Sequence, residues 1–275
     1  MIFESITRSE NYRIALGVEY DGSPYSGWQH QKSSKILTVQ GHIDAALSKI
    51  ANTGIKTTCA GRTDAGVHAT NQVVHFDSSI DRGIKAWTTG VNSILPKSIR
   101  VLWAKPMEPD YHARFSAQAR RYNYVFYHRE IAPALLSSRV THVRGSLNAA
   151  LMHEASQALL GEHDFSAFRA AACQSKTSNR RIISTRCYQR GPFTIFDVKA
   201  NAFLLHMVRN LAGALLEIGR GKKEVAWMSE LLASRDRKLG GLTAPPDGLY
   251  LVSVDYPSKY KIPQGQHLPI YLKES

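Results

Sequence analysis

The period of the apolar positions changes several times along the chain, and each change marks an element. Tyr12–Tyr20 (YRIALGVEY) alternates apolar with polar residues, which predicts a strand, and the turn-forming run DGSPYSG follows it. Thr38 stands where a helix needs an N-cap. Beyond it Val39, Ile43, Leu47 and Ile50 recur at helical spacing as far as Ala51. Short β-type runs follow at 55–60 and 72–76, a weaker helical pattern at 83–93, and another strand at 99–105. The order is β-α-β-β-α-β.

Residues beyond 110 repeat that order. An aromatic-rich strand at 121–127 (RYNYVFY) precedes an amphipathic helix at 147–160, and strands at 182–189 and 193–199 are joined by a turn at 190–192. Helices at 203–219 and 222–233 and a strand at 249–255 complete the pattern, with one helix added. No sequence identity between the halves is visible, so the repeat is one of elements. It predicts an α+β fold of two ferredoxin-like β-α-β-β-α-β halves, with mainly antiparallel sheets and a cleft between them. Pro106 and Pro109 suggest a boundary near 110, giving an N-terminal α+β domain at 1–110 and a C-terminal one at 111–275. A cleft between two such halves is where a large ligand binds.

Charge sharpens this picture. The 275 residues carry 35 Lys and Arg against 22 Asp and Glu, a formal +13. Residues 111–275 hold 23 basic and 12 acidic residues, a net of +11, whereas residues 1–110 hold 12 and 10, a net of +2. A solvated basic surface would account for part of the excess, but its placement favours a polyanionic partner. The first residues lack the apolar stretch of a signal peptide, and no apolar run approaches the roughly 20 residues of a membrane helix. Cys59, Cys173 and Cys187 form no metal-ligand spacing and the eleven histidines no zinc pattern. The expectation is a cytoplasmic protein with reduced thiols, no metal and no membrane.

Chemistry concentrates in GRTDAGVHATNQ (61–72), between the second and third predicted strands. Glycines on both sides of Asp64 permit a tight bend and close approach to a ligand. Asp and Thr also build turns that carry no chemistry, and the residues alone leave both readings open. The stretch GRTDAGVHA, however, closely resembles the signature of the TruA-type tRNA pseudouridine synthases. The resemblance covers nearly the whole chain. It extends to EYDGSPYSGWQ (19–29), VNSILP (91–96), HARFSAQARRYNY (112–124), GEHDFSAF (161–168), ANAFLLHMVRNLAGALLEIG (200–219) and DGLYLVSVDYP (247–257).

That resemblance implies the pseudouridine synthase fold and isomerisation of uridine at positions 38, 39 and 40 of the tRNA anticodon stem-loop. It also implies that no cofactor is needed, and that the enzymes are homodimers in which one tRNA touches both subunits. It makes Asp64 the catalytic aspartate, Arg62 the arginine implicated in base flipping, Tyr122 the active-site tyrosine and Arg209 the partner of the aspartate. The reaction breaks the bond from C1′ to N1, turns the uracil and joins C1′ to C5. Three routes are open to the carboxylate, attack on C1′, addition to C6 or removal of a proton from the sugar, and every one begins with it ionised. A nearby arginine keeps it so. Arg209 is the only formally charged residue between Phe203 and Leu216, and His206, Asn210 and Gly213 share its side of the helix. Tyr122 is suited to stack a flipped uracil or to carry a proton. Arg114, Arg120, Arg121 and Arg169, with Lys176, Arg180 and Arg181, are candidate contacts to the RNA backbone. Leu205 departs from a histidine common in this family, which touches fine substrate contacts and not the trio. The rival reading is a non-catalytic tRNA-binding or chaperone protein on the same scaffold. A buried carboxylate beside a polyanion argues against it, since such a charge repels phosphate.

Overall fold

A computed structural model describes residues 11–31, 36–263 and 268–272. In chain order the strands and helices of the first half are β1 (Tyr12–Tyr20), α1 (Val39–Ala51), β2 (Thr58–Cys59) and β3 (His68–Ser78). Next come α2 (Gly83–Lys85), a π-helical stretch (Ala86–Gly90), α3 (Val91–Ile94) and β4 (Ile99–Met107). The second half contains β5 (Ala119–His128), β6 (Thr141–Val143), α4 (Ala149–Gln157), β7 (Gly161–Asp164), β8 (Asn179–Arg190) and β9 (Phe193–Ala200). It ends with α5 (Met207–Gly219), α6 (Trp227–Ser234) and β10 (Leu249–Asp255).

The predicted order yields one topology used twice. In the first half the strands lie in the order β4-β1-β3-β2, and in the second β10-β5-β9-β8, so equivalent strands occupy equivalent places. The ladders within each half are antiparallel, apart from the short parallel β5–β6 pair. The two sheets are in fact one. β3 and β10 pair in parallel, with His68 opposite Tyr250 and Ala69 opposite Leu251, and this seam joins the halves. β3 therefore lies inside the sheet and is buried along almost its whole length. Its burial lacks the period-two signal, which is why the pattern marks only 72–76 as strand.

The main core spans both halves on the helical side of the sheet: Ile14, Leu16 and Val18 of β1 share it with Ile43 and Leu47 of α1 and with Leu211 and Leu215 of α5. A smaller cluster, including Val125, Ile195, Tyr250 and Val252, occupies the other side. Thr38 caps α1 as its sequence position suggests, its Oγ1 accepting from the Gly41 amide at 3.2 Å. Asn148 does the same for α4, accepting from the amides of Ala150 and Leu151, so that helix starts later than its apolar pattern. The helix expected at 203–219 starts at Met207, because His206 takes left-handed backbone angles (φ 60°, ψ 5°) and turns the chain before it. Residues 202–206 are thereby freed to line the cleft between the halves.

Candidate active site

Residues 60–67 cross from β2 to β3 as an anchored loop. Gln72 closes its neck: its side-chain amide donates to the Gly61 carbonyl at 2.6 Å. The Trp28 amide donates to Thr63 O at 3.0 Å, and Tyr20 Oη shares a 2.8 Å hydrogen bond with Thr63 Oγ1. A tight turn follows, with the Val67 amide donating to Asp64 O at 3.2 Å and Gly66 at φ 78°. That φ suits glycine, and a Cβ there would also sit 2.8 Å from Pro246 Cγ. Where the loop enters β3, His68 is buried. Its Nδ1 accepts from the Gly22 amide at 3.0 Å and its ring stacks on Tyr250, at 4.7 Å between centroids. Asp21 Oδ1 lies 3.3 Å from the same Nδ1. His68 thus ties the end of the loop to the seam.

This anchoring presents Asp64 to a cleft of about 680 Å³, which Arg62, Tyr122, Phe203, His206 and Arg209 also line. The Asp64 side chain is 26% exposed. Arg209 Nη1 lies 3.7 Å and His206 Nε2 3.5 Å from its Oδ2. At 3.7 Å the Arg209 guanidinium acts through charge, and no short hydrogen bond from the described residues occupies the carboxylate, so its lone pairs remain available to a substrate. Arg209 is itself fixed, donating from Nε to the Ala244 carbonyl at 2.8 Å. Asn210 and Gly213, predicted to share its side of the helix, pack instead against the loop at 240–246. Asn210 Oδ1 accepts from Thr243 and Arg237, and the Leu242 carbonyl lies only 1.9 Å from where a Gly213 Cβ would be.

Tyr122 is 8% exposed and meets Phe203 edge-on, at 5.1 Å between centroids and 87° between planes. Its hydroxyl has no hydrogen-bond partner among the described residues. Burial pushes this phenol well above its ordinary pKa; Arg120 opposes the shift and Asp64 adds to it. The hydroxyl is therefore protonated at neutral pH, able to donate a hydrogen bond but not to act as a resident phenolate. A flat, half-enclosed aromatic wall, a protonated phenol and a cation-flanked carboxylate together suit a planar base whose sugar faces Asp64.

The sequence reading therefore brings Asp64, Arg62, Tyr122 and Arg209 to one cleft, with Arg62 exposed at its edge. His206 was singled out only as a neighbour of Arg209 on the helix. Nothing in its residue type marks the left-handed turn that aims it at Asp64, although histidine is among the residues that tolerate such a turn. The remaining arginines divide. Arg114 is exposed on the rim. Arg120 lines the cleft, but its guanidinium is fully engaged with backbone carbonyls: Ala60 twice, at 2.8 and 3.3 Å, and Arg114, Ala117 and Asn201 at 2.8–3.2 Å. Arg121 points to the opposite face of β5, where alternation must send it, and forms a two-pronged pair with Asp197. Arg169 lies outside the cleft and donates to Cys173 O, Ser175 O and Ser178 Oγ. These last three hold backbone or carboxylate in the protein.

Arg120 clamps the start of the Asp64 loop to β5 and to the β9–α5 connection. Arg120→Lys keeps the charge but loses the fork and leaves part-buried carbonyls unpaired. The expected cost is roughly 1.5–3 kcal/mol of stability, read as a lower midpoint in thermal or urea unfolding, with a slower reaction. An unchanged midpoint would remove the clamp from the account.

Comparisons with known proteins bear on this site. A family model described as tRNA pseudouridine synthase matches residues 17–116 and 155–257, which include the loop with Asp64 and, on α5, Arg209, while Tyr122 falls between the two matched ranges. The chain is 53% identical over 263 residues to the tRNA pseudouridine synthase A of Aeromonas hydrophila, covering 96% of this chain and 97% of that one. It is 53% identical over 260 residues to that of Shewanella sp. (strain MR-4), covering 94% and 99%. To that of Escherichia coli (strain SMS-3-5 / SECEC) it is 50% identical over 263 residues, covering 96% and 97%.

Proposed function

The chain belongs to the tRNA pseudouridine synthase family, and on that premise we propose that it modifies the uridines at positions 38, 39 and 40 of the tRNA anticodon stem-loop. It is an isomerase that forms pseudouridine in tRNA. The observation that carries the reading is Asp64, held by an anchored loop between Arg209 and His206 and beside Tyr122, in a cleft open to solvent. In this proposal the flipped uridine lies along Tyr122 with its C1′ toward Asp64, whose carboxylate starts the cleavage of the C1′–N1 bond. The Arg209 guanidinium beside it keeps the charge in place while the uracil turns and C5, giving up its hydrogen, bonds to C1′. Arg62, exposed at the edge, takes the displaced backbone or the vacated stack. No cofactor takes part, since the reaction only exchanges one glycosidic bond for another. The enzyme works as a cytoplasmic homodimer with one tRNA against both subunits. The seven sequence motifs and their order support the choice of the stem-loop, and the +11 second half supports a broad grip on RNA.

The test uses unmodified tRNA transcripts with a uridine at 38, 39 or 40 singly, or at none of them, and maps pseudouridine chemically after incubation. Modification is expected in the first three alone. Pseudouridine elsewhere in the tRNA would overturn the stem-loop assignment. Tight binding with no pseudouridine at all would return the non-catalytic rival.

A further inference from the structure

Phe115 is 78% exposed, the only exposed phenylalanine among the described residues, and it sits on the lining of the cleft that contains Asp64. An apolar ring in water at the rim of a polar cleft usually turns down onto the surface. This one is held up. Its ring stacks on the His112 imidazole, at 4.3 Å between centroids and 24° between planes. The imidazole is locked in turn, its Nδ1 accepting from the backbone amides of Arg114 and Phe115 at 3.2 and 3.1 Å. The His112 amide donates to Ser116 Oγ at 3.0 Å, and the His112 ring leans on His75, at 4.7 Å. Arg114, also exposed on the rim, has its guanidinium carbon 5.7 Å from the Phe115 ring centre.

We propose that Phe115 is a stacking platform for a nucleobase next to the target uridine, with Arg114 placed for the phosphate between them. The inference rests on the reading of the cleft as an RNA-modifying site and adds a contact that this reading does not contain. Turning the target out of the helix removes a stacking partner from its neighbours, and unstacking costs a few kcal/mol. A rigid aromatic face beside the cleft replaces the lost partner without having to be ordered on binding. Every base has a π-face, so such a platform accepts any neighbour. That tolerance is what a single site needs if it is to serve adjacent uridines with different flanking bases.

The experiment compares native protein with Phe115→Ala, Phe115→Leu and Phe115→Trp, using single-turnover pseudouridine formation over a range of tRNA concentrations. Because the side chain is exposed, all three variants should unfold at the native midpoint. The alanine variant is expected to need roughly tenfold more tRNA for half-maximal rate, or more, while the saturating rate stays within a few-fold. Leucine, apolar but without a π-face, should not restore binding. Tryptophan should restore it, with its fluorescence quenched by a stem-loop RNA and less so when the base beside the target is abasic. Native-like tRNA dependence in the alanine variant, or full rescue by leucine, would overturn the platform and leave the site reading intact. Native protein that neither binds nor modifies tRNA would overturn both.

Discussion

Asp64→Asn is expected to bind tRNA as the native chain does and to form no pseudouridine above background, a loss of about 10⁴-fold or more in the single-turnover rate. Asparagine has nearly the shape of aspartate, so the loop anchored by Trp28, Tyr20 and Gln72 keeps its path. The negative charge is what disappears. Each route to the product begins with an ionised carboxylate, as nucleophile at C1′ or C6 or as base at the sugar, and an amide supplies none of these. Binding should be unchanged or slightly tighter, because one negative charge leaves a surface that must accept phosphates. The assay follows tritium released from C5-labelled uridine in tRNA, since C5 exchanges its hydrogen for the bond to C1′. Release from the native chain alone, with both proteins retaining tRNA on a filter, assigns the chemistry to Asp64. Turnover by the asparagine variant within tenfold of native would mean that another group starts the reaction.

Much of this site is legible in the chain because its parts are local. Thr38 and the apolar spacing after it define α1, and the alternation of Tyr12–Tyr20 defines β1, because each is a short-range pattern with a physical cause. The repeated element order carries enough information to give the strand order of each half. What it does not carry is the pairing of β3 with β10, about 180 residues apart along the chain. Nothing local in His68 or Tyr250 shows that their rings stack across that seam.

The arginines teach a related lesson. Side-chain type marks Arg114, Arg120, Arg121 and Arg169 alike as phosphate contacts. Which of them has donors to offer depends on carbonyls brought near by the fold. Alternation along β5 already separates Arg121 from Arg120 and Tyr122, so its absence from the cleft was readable once the strand was known. The engagement of Arg120 with Ala60, Arg114, Ala117 and Asn201 was not, since it needs three separate chain segments in one place. His206 is hidden for a different reason. Its importance lies in a backbone conformation that shortens a helix, whereas the apolar pattern alone continues that helix back to Phe203.

Arg209 combines both kinds of role, and two substitutions separate them. Its Nη1 faces Asp64 and its Nε holds the Ala244 carbonyl, in a loop that lies so close to α5 that Gly213 has no room for a side chain. Arg209→Met removes charge and hydrogen bond together. The expected result is a rate lower by about 10²–10³-fold, the range seen when a preorganised charge partner is lost, together with a lower unfolding midpoint as the loop loosens. Arg209→Lys returns a cation that reaches toward Asp64 but has no fork with which to hold Ala244 at the same time. It should recover part of the rate and little of the stability, giving the order native, lysine, methionine for turnover. Equal turnover by the lysine and methionine variants would show that charge beside Asp64 is not what Arg209 supplies, and its contribution would then run through the Ala244 loop. Native turnover in the methionine variant would mean that the Arg209 charge does not matter to the carboxylate. The two readouts move separately because one electrostatic contact faces the substrate and one hydrogen bond faces the fold, both made by a single guanidinium.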